Sequence, residues 1–216
     1  DIILSSQYHL PECSGMVDVV SSSFFPTVIH EFNLDIDTLD KKHMIEYIKR
    51  GQVKPNGMIQ TEDDLHVMSY FKKFKDEIIE LNKKILDKLG YEYEDIIITG
   101  MWGNVLHPGQ VHSPHTHSNN FLSGVFYLQS DDLSAGLEFF DPRAQTGVLC
   151  PRIKTGNVMN ANAVGFAPRE NMGLIFPSWL QHWVKTSDSD ERMSVSWNTL
   201  TKGHYGGPLG KANAYI

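Results

Sequence analysis

The sequence predicts a mainly β fold with flanking helices, a sandwich or jelly roll whose N-terminal helices pack on one sheet. Three observations predict it. The first is a change of texture at Gly90, where apolar residues at helical steps of three and four give way to short β-rich runs. The second is order along the chain, because helices followed by many short strands suit two stacked sheets with helices on one of them. The third is the last run, in which Arg192, Ser194, Ser196 and Asn198 alternate with Met193, Val195 and Trp197. Residues two apart share a strand face, so this strand is polar on one side and apolar on the other. A polar face turned inward makes sense where the interior is a site and the apolar face lies under helices.

Each element can be justified in turn. Residues 1–23 are Ser-rich and weakly patterned, an arm on the domain. Phe24 to Phe32 reads as a first strand, with Pro26 suited to an edge or a strand start. Residues 38–50 form a helix with Met44, Ile45 and Ile48 on one side. Thr61-Glu-Asp-Asp64 has capping-box form and opens a second helix. Along it Leu65, Met68, Phe71, Phe74, Ile78, Leu81, Ile85 and Leu89 make one apolar stripe, and Gly90 ends it. Six strands follow, over 96–102, 121–128, 137–140, 173–176, 180–185 and 192–200. Residues 143–171, rich in Gly and Asn, form a long irregular stretch that reads as a lid or substrate loop. The chain is expected to be a single domain over 1–216: arm 1–23, strand and supporting helices 24–95, β body 96–200, and a tail 201–216 that is a loose end or a flap.

Bulk properties bound the function. With 216 residues, 41% of them hydrophobic, one ordinary core is affordable without staples. A formal charge of −7 argues against a nucleic-acid surface, and Lys72, Lys73 and Lys75 sit beside Asp76 and Glu77 as a solvated helix face. Cys13 and Cys150 are too few for a disulfide framework and suit a reducing interior. The apolar runs are too short to span a bilayer. No charged segment followed by an apolar one opens the chain, so a cytoplasmic location is expected and no membrane partner.

The chemistry concentrates in histidines. His107, His112, His115 and His117 fall within eleven residues, and His182 stands far downstream. On a strand, His115 and His117 point to one face and can reach one ion, with His182 as the third ligand from a distant strand. Imidazole nitrogen suits Fe(II), Zn, Ni or Cu. By the same alternation His112 and His115 point to opposite faces, which makes His112 a pocket or rim residue, and His107 is a turn residue before Pro108-Gly109. Arg192 offers a planar fork to a carboxylate, and the Ser194 hydroxyl lies one pleat away on the same face. The competing reading pairs Arg192 with Asp190 or Glu191 at an edge. Trp102, Trp179 and Trp183 are either pocket walls or ordinary core and rim aromatics.

These residues resemble a known family. Asn104-Val-Leu-His-Pro-Gly109 followed by His115-Thr-His117 is similar to the Asn-x-x-x-x-Gly and His-x-Asp stretches of Fe(II)/2-oxoglutarate-dependent oxygenases. Leu122-Ser-Gly-Val-Phe-Tyr-Leu128, Phe139-Phe-Asp-Pro-Arg143, Phe176-Pro-Ser-Trp-Leu-Gln-His182 and Arg192-Met-Ser-Val-Ser-Trp-Asn198 resemble stretches of a bacterial and phage branch of that superfamily. The resemblance covers residues 96–200 strongly and the first strand weakly. It implies a double-stranded β-helix, the cupin-like jelly roll, binding Fe(II) and 2-oxoglutarate and using dioxygen to hydroxylate a substrate, with release of succinate and CO2. It further implies His115 and His182 as metal ligands, Arg192 and Ser194 as the cosubstrate clamp, and Tyr127 and Asn104 as further cosubstrate contacts. The substrate, a small molecule or a protein side chain, is not legible.

One position departs from the pattern. His117 stands where the family has a carboxylate, and a neutral imidazole offsets no metal charge. Three arrangements follow: His117 ligates, it swings away and leaves a position for water or halide, or Asp141 approaches as a partner to a histidine. The first needs no rearrangement and is preferred. A non-oxidative cupin-like protein holding Zn or Ni on three histidines, as a lyase, isomerase or binding module, is the alternative class. A binding protein that has lost catalysis is the third.

Overall fold

A computed structural model describes residues 23–207 and 212–216. All but the last residue of the expected arm, Cys13 included, lies outside them, as do residues 208–211 of the tail. Two sheets face each other. The larger has seven strands in the order β1 (His30–Asn33), β9 (Met172–Pro177), β6 (Leu122–Gln129), β11 (Arg192–Lys202), β4 (Asp95–Leu106), β3 (Ile59–Gln60) and β2 (Gln52–Val53). The smaller has four, β5 (His112–His115), β10 (His182–Val184), β7 (Leu137–Phe140) and β8 (Ala163–Phe166), and every pairing in both sheets is antiparallel. Helices α1 (Thr38–Ile48) and α2 (Lys72–Leu89) cover the outer face of the large sheet. This is the expected double-stranded β-helix.

The alternation of the strands sorts the core into two layers. Met193, Val195, Trp197 and Phe126 face the helices and pack with Met44, Ile48, Phe74, Ile78 and Ile85. Val125, Tyr127, Leu174 and Phe176 point the other way and meet Leu137, Phe139 and Val184 of the small sheet. The two layers cross β4 differently. Its pairing with β11 skips Thr99 between Gly100 and Ile98, and this bulge keeps Ile96, Ile98, Met101 and Val105 all on the helix side. Close approach needs two glycines. A Cβ on Gly103 would lie 2.4 Å from Ile48 of α1, and one on Gly124 would lie 2.2 Å from the Trp197 ring.

The helices show where local sequence rules hold and where tertiary packing overrides them. Asp37 caps α1, its Oδ1 accepting from the Leu39 N–H at 2.9 Å. Gly90 ends α2 in the left-handed region at φ 75°, with Tyr91 N–H donating to Leu86 O as a Schellman closure. The expected start of α2 at residue 65 is corrected to Lys72: residues 65–67 and 69–71 are two short 3₁₀ turns broken by an extended Met68. The Thr61 hydroxyl binds across to β4, accepting the Gly103 N–H at 3.0 Å, and so does not cap a helix. Leu65 and Phe71 are buried all the same, so the apolar stripe reported burial rather than unbroken helix.

Other boundaries moved. The first strand begins at His30 rather than Phe24, and Phe24 and Phe25 are exposed. The stretch 143–171 is not wholly irregular, since β8 lies within it and pairs with β7. Between them, Val148, Leu149, Val158 and Met159 are exposed. In the tail, β12 (His204–Tyr205) pairs with β13 (Ala214–Tyr215). No helix among the described residues is long and apolar enough to cross a membrane.

Candidate metal and cosubstrate site

The site is a cleft between the two sheets, lined by Trp102, Asn104, His112, His115, His117, His182, Arg192, Ser194 and Ser196 among others. Its histidines come from one edge of the small sheet. His182 opposes His115 across β10 and β5, and the next matched pair is Val184 with His112. Two steps on β10 thus face three on β5. This bulge overturns the expected opposition of His112 and His115, whose ring centroids are 4.6 Å apart on the same side. His117 lies just beyond β5, held by its N–H donating to Ser178 O at 2.9 Å.

His115, His117 and His182 each bring a ring nitrogen to within 4.8 Å of the other two. Two of the rings are oriented from behind. His115 Nδ1 lies 2.8 Å from Ser113 O and His182 Nδ1 lies 2.9 Å from Leu180 O. A neutral imidazole meets a carbonyl only as donor, so in both rings the proton is on Nδ1 and the Nε2 lone pair faces the cleft. Burial pushes His182 down to about 3, with the neighbouring imidazoles adding to the effect. Burial and the adjacent His115 bring His117 down to about 4. Neutral rings are the form a metal takes. Phe176 and Phe139 wall the His182 ring, at 4.7 Å and 5.8 Å between centroids.

The carboxylate expected as one possible partner is elsewhere. Asp141 is bound by the Arg143 guanidinium at 2.8 Å and 2.9 Å, which removes it as a companion to the histidines. Of the tryptophans, Trp102 lines the cleft, Trp183 donates to Glu138 at 2.5 Å, and Trp179 is exposed. His107 sits in a turn as expected, its Nδ1 lying 3.0 Å from Asp190 O.

Arg192 is 2% exposed and makes no ion pair among the described residues. Glu191, its expected competitor, pairs outward with Lys49 at 2.8 Å. The guanidinium lies 4.8 Å from the centre of the Tyr127 ring, and both Arg192 Nε and Tyr127 Oη are buried with no hydrogen-bond partner. A buried guanidinium without a counter-ion is costly, and so is an unsatisfied hydroxyl. Both costs are offset by a carboxylate, so these residues fit the far end of a dicarboxylate. Ser194 lies beside them on β11. Asn104 is held by Gln60, which donates to its Oδ1 at 2.9 Å, while its own Nδ2 donates to Ser196 at 3.2 Å. Gln60 was missed from the sequence because a strand of two residues carries no periodicity.

Residues 100–198 match the model of the family described as "Putative 2OG-Fe(II) oxygenase". No curated protein matches the sequence. Solved structures share the fold. A prolyl-4-hydroxylase from Pseudomonas putida is 13% identical with a TM-score of 0.58, over 82% of this chain and 94% of that one. The epimerase SnoN from nogalamycin biosynthesis, described as non-heme and alpha-ketoglutarate-dependent, is 10% identical at a TM-score of 0.59, over 86% of this chain and 83% of that one. HygX from Streptomyces hygroscopicus, solved with nickel, 2-oxoglutarate and hygromycin B, is 10% identical at 0.53, over 80% of this chain and 82% of that one. The chain therefore shares the double-stranded β-helix fold of these solved structures. The resemblance drawn from the motifs is matched by the family model over residues 100–198, the stretch that holds Asn104, His115, His117, Tyr127, His182, Arg192 and Ser194.

Proposed function

We propose that this chain is an Fe(II)- and 2-oxoglutarate-dependent dioxygenase acting as a hydroxylase, with His115, His117 and His182 holding the metal. The observation that carries the reading is the pairing of a three-histidine cluster with a buried, uncompensated Arg192 in one cleft. The cluster alone suits Zn or Ni as well; the arginine asks for an acid beside the metal. When bound, iron would activate dioxygen as the oxidant and 2-oxoglutarate would supply two electrons, one oxygen atom ending in succinate as CO2 is released and the other in the hydroxylated product.

The chain's own residues bind and orient. Arg192 and Tyr127 Oη take the distal carboxylate of the cosubstrate, Ser194 donates to the same group, and Asn104 stands ready with its remaining N–H. The carbonyls of Ser113 and Leu180 keep two imidazoles in the ligating tautomer. Phe139, Phe176, Val125 and Leu137 exclude water from the side facing the small sheet. The structural neighbours include prolyl hydroxylases and an epimerase, and hydroxylation is the outcome the prolyl hydroxylases favour by analogy.

The test is direct. Anaerobic protein with Fe(II) and 2-oxoglutarate is expected to show a metal-to-ligand charge-transfer absorption, and admission of oxygen to yield succinate. Absence of both, with zinc retained through purification, would sink the oxygenase reading in favour of a non-oxidative metal protein.

A further inference from the structure

The cleft has a second polar end, away from Arg192. Along β4, Leu106 pairs with Arg192, Trp102 with Ser196 and Gly100 with Asn198. Four residues of strand thus separate the Arg192 end from the Trp102 end, roughly 13 Å at the usual rise. Trp102 touches the histidine cluster from that far end, its ring 5.9 Å from His117. Its Nε1–H is buried and has no partner among the described residues. Beside it, Asn198 Nδ2 has only a long contact of 3.5 Å with His117 Nδ1, while Asn198 Oδ1 is occupied by Ser123 at 2.7 Å. Two N–H donors therefore sit at this end with little to bind. Trp102 lines the cleft, Asn198 reaches it through its contact with His117, and both are partly exposed.

Charge says what they bind. Among the described residues, no Asp or Glu lines the cleft. A divalent ion and Arg192 bring three positive charges, three neutral imidazoles remove none, and 2-oxoglutarate removes two. One positive charge is left over, where a carboxylate ligand in place of His117 would have cancelled it. Uncompensated charge in a low-dielectric cleft is expensive and draws an anion. The protein's overall charge of −7 does not reverse this, because exposed charges beyond about 8 Å are largely screened at physiological salt. Neutral donors at this end suit this task, since they orient an anion without adding further positive charge.

We propose that Trp102 and Asn198 form a subsite for a carboxylate of the substrate, so that the primary substrate is an acid. The inference rests on the metal and cosubstrate reading above, and its test separates the two. Protein loaded with zinc as a diamagnetic substitute, at saturating 2-oxoglutarate, is titrated with acetate and with acetamide as its neutral counterpart. Indole N–H signals are followed by NMR, the Trp102 signal being the one of four lost in Trp102→Phe. Acetate is expected to move that signal downfield and acetamide to leave it in place. Calorimetry on His117→Asp, which restores the missing negative charge, is expected to show acetate binding weakened at least tenfold. Failure of 2-oxoglutarate to bind the zinc-loaded protein overturns the site reading itself. If 2-oxoglutarate binds, the subsite is overturned by an unmoved Trp102 signal, by equal response to acetamide, or by undiminished acetate binding in His117→Asp.

Discussion

His182 and Arg192 are where single substitutions speak most clearly. His182 is walled by Phe139 and Phe176, so alanine would leave a hole as well as an empty ligand position, and glutamine is the better probe. His182→Gln is expected to keep the fold by circular dichroism yet lose stoichiometric metal on dialysis, read by elemental analysis. Arg192→Ala removes the buried charge proposed to pair with the cosubstrate, and such truncations cost about 2–5 kcal/mol, roughly a thirty-fold or greater loss of affinity. A variant that binds 2-oxoglutarate as tightly as the parent would remove the clamp assignment. The histidines also make stability depend on pH. His112 and His117 are held at about 4 and His182 at about 3, against 6.5 in the unfolded chain, chiefly by burial. Between those values and 6.5 the unfolded chain binds more protons, so folding stability rises with pH there. The metal-free protein is expected to hold full stability above pH 6.5 and to melt at progressively lower temperature as pH falls toward 4. His112→Gln should flatten part of that decline in thermal melts. These residues were legible because imidazole and guanidinium are uncommon at strand spacing. Trp102 and Asn198 were visible only as a pocket wall and a polar-face residue, since an unpartnered N–H is a property of surroundings.

At the scale of elements, alternation in β11 was the most reliable guide. It separates a helix-facing from a site-facing side, and the structure places Met193, Val195 and Trp197 under the helices. That packing depends on glycine at 124, opposite Trp197, where a Cβ would lie 2.2 Å from the ring. Gly124→Ala is expected to destabilise by about 1–3 kcal/mol through overpacking, measured by urea denaturation with unchanged slope. Elements whose cause was not local escaped the reading. The 3₁₀ turns before α2 carry the same apolar stripe as a helix, and nothing in residues 61–71 announces that Thr61 will bind Gly103 instead of capping. The bulge in β5 was hidden likewise, because it is a mismatch with β10 and has no signature in either strand alone.

For the molecule as a whole, ligand loading and folding are linked, because the cleft exists only when both sheets are in place. On the proposed function, metal and 2-oxoglutarate bind the folded state and should stabilise it by about 2.7 kcal/mol at a hundredfold excess over Kd. A melting temperature that does not rise with their joint concentration would contradict the shared site. The sequence by itself determined the class of fold, the three histidines and the Arg192 to Asn198 face, because each depends on residue type and a period of two or three to four. Tertiary structure alone decided that His112, read from the sequence as a pocket or rim residue, lies beside His115, that Asp141 turns to Arg143, and that Arg192 and Trp102 stand at opposite ends of one cleft. Those outcomes come from register between strands distant in the chain, and register is a property of pairs of strands.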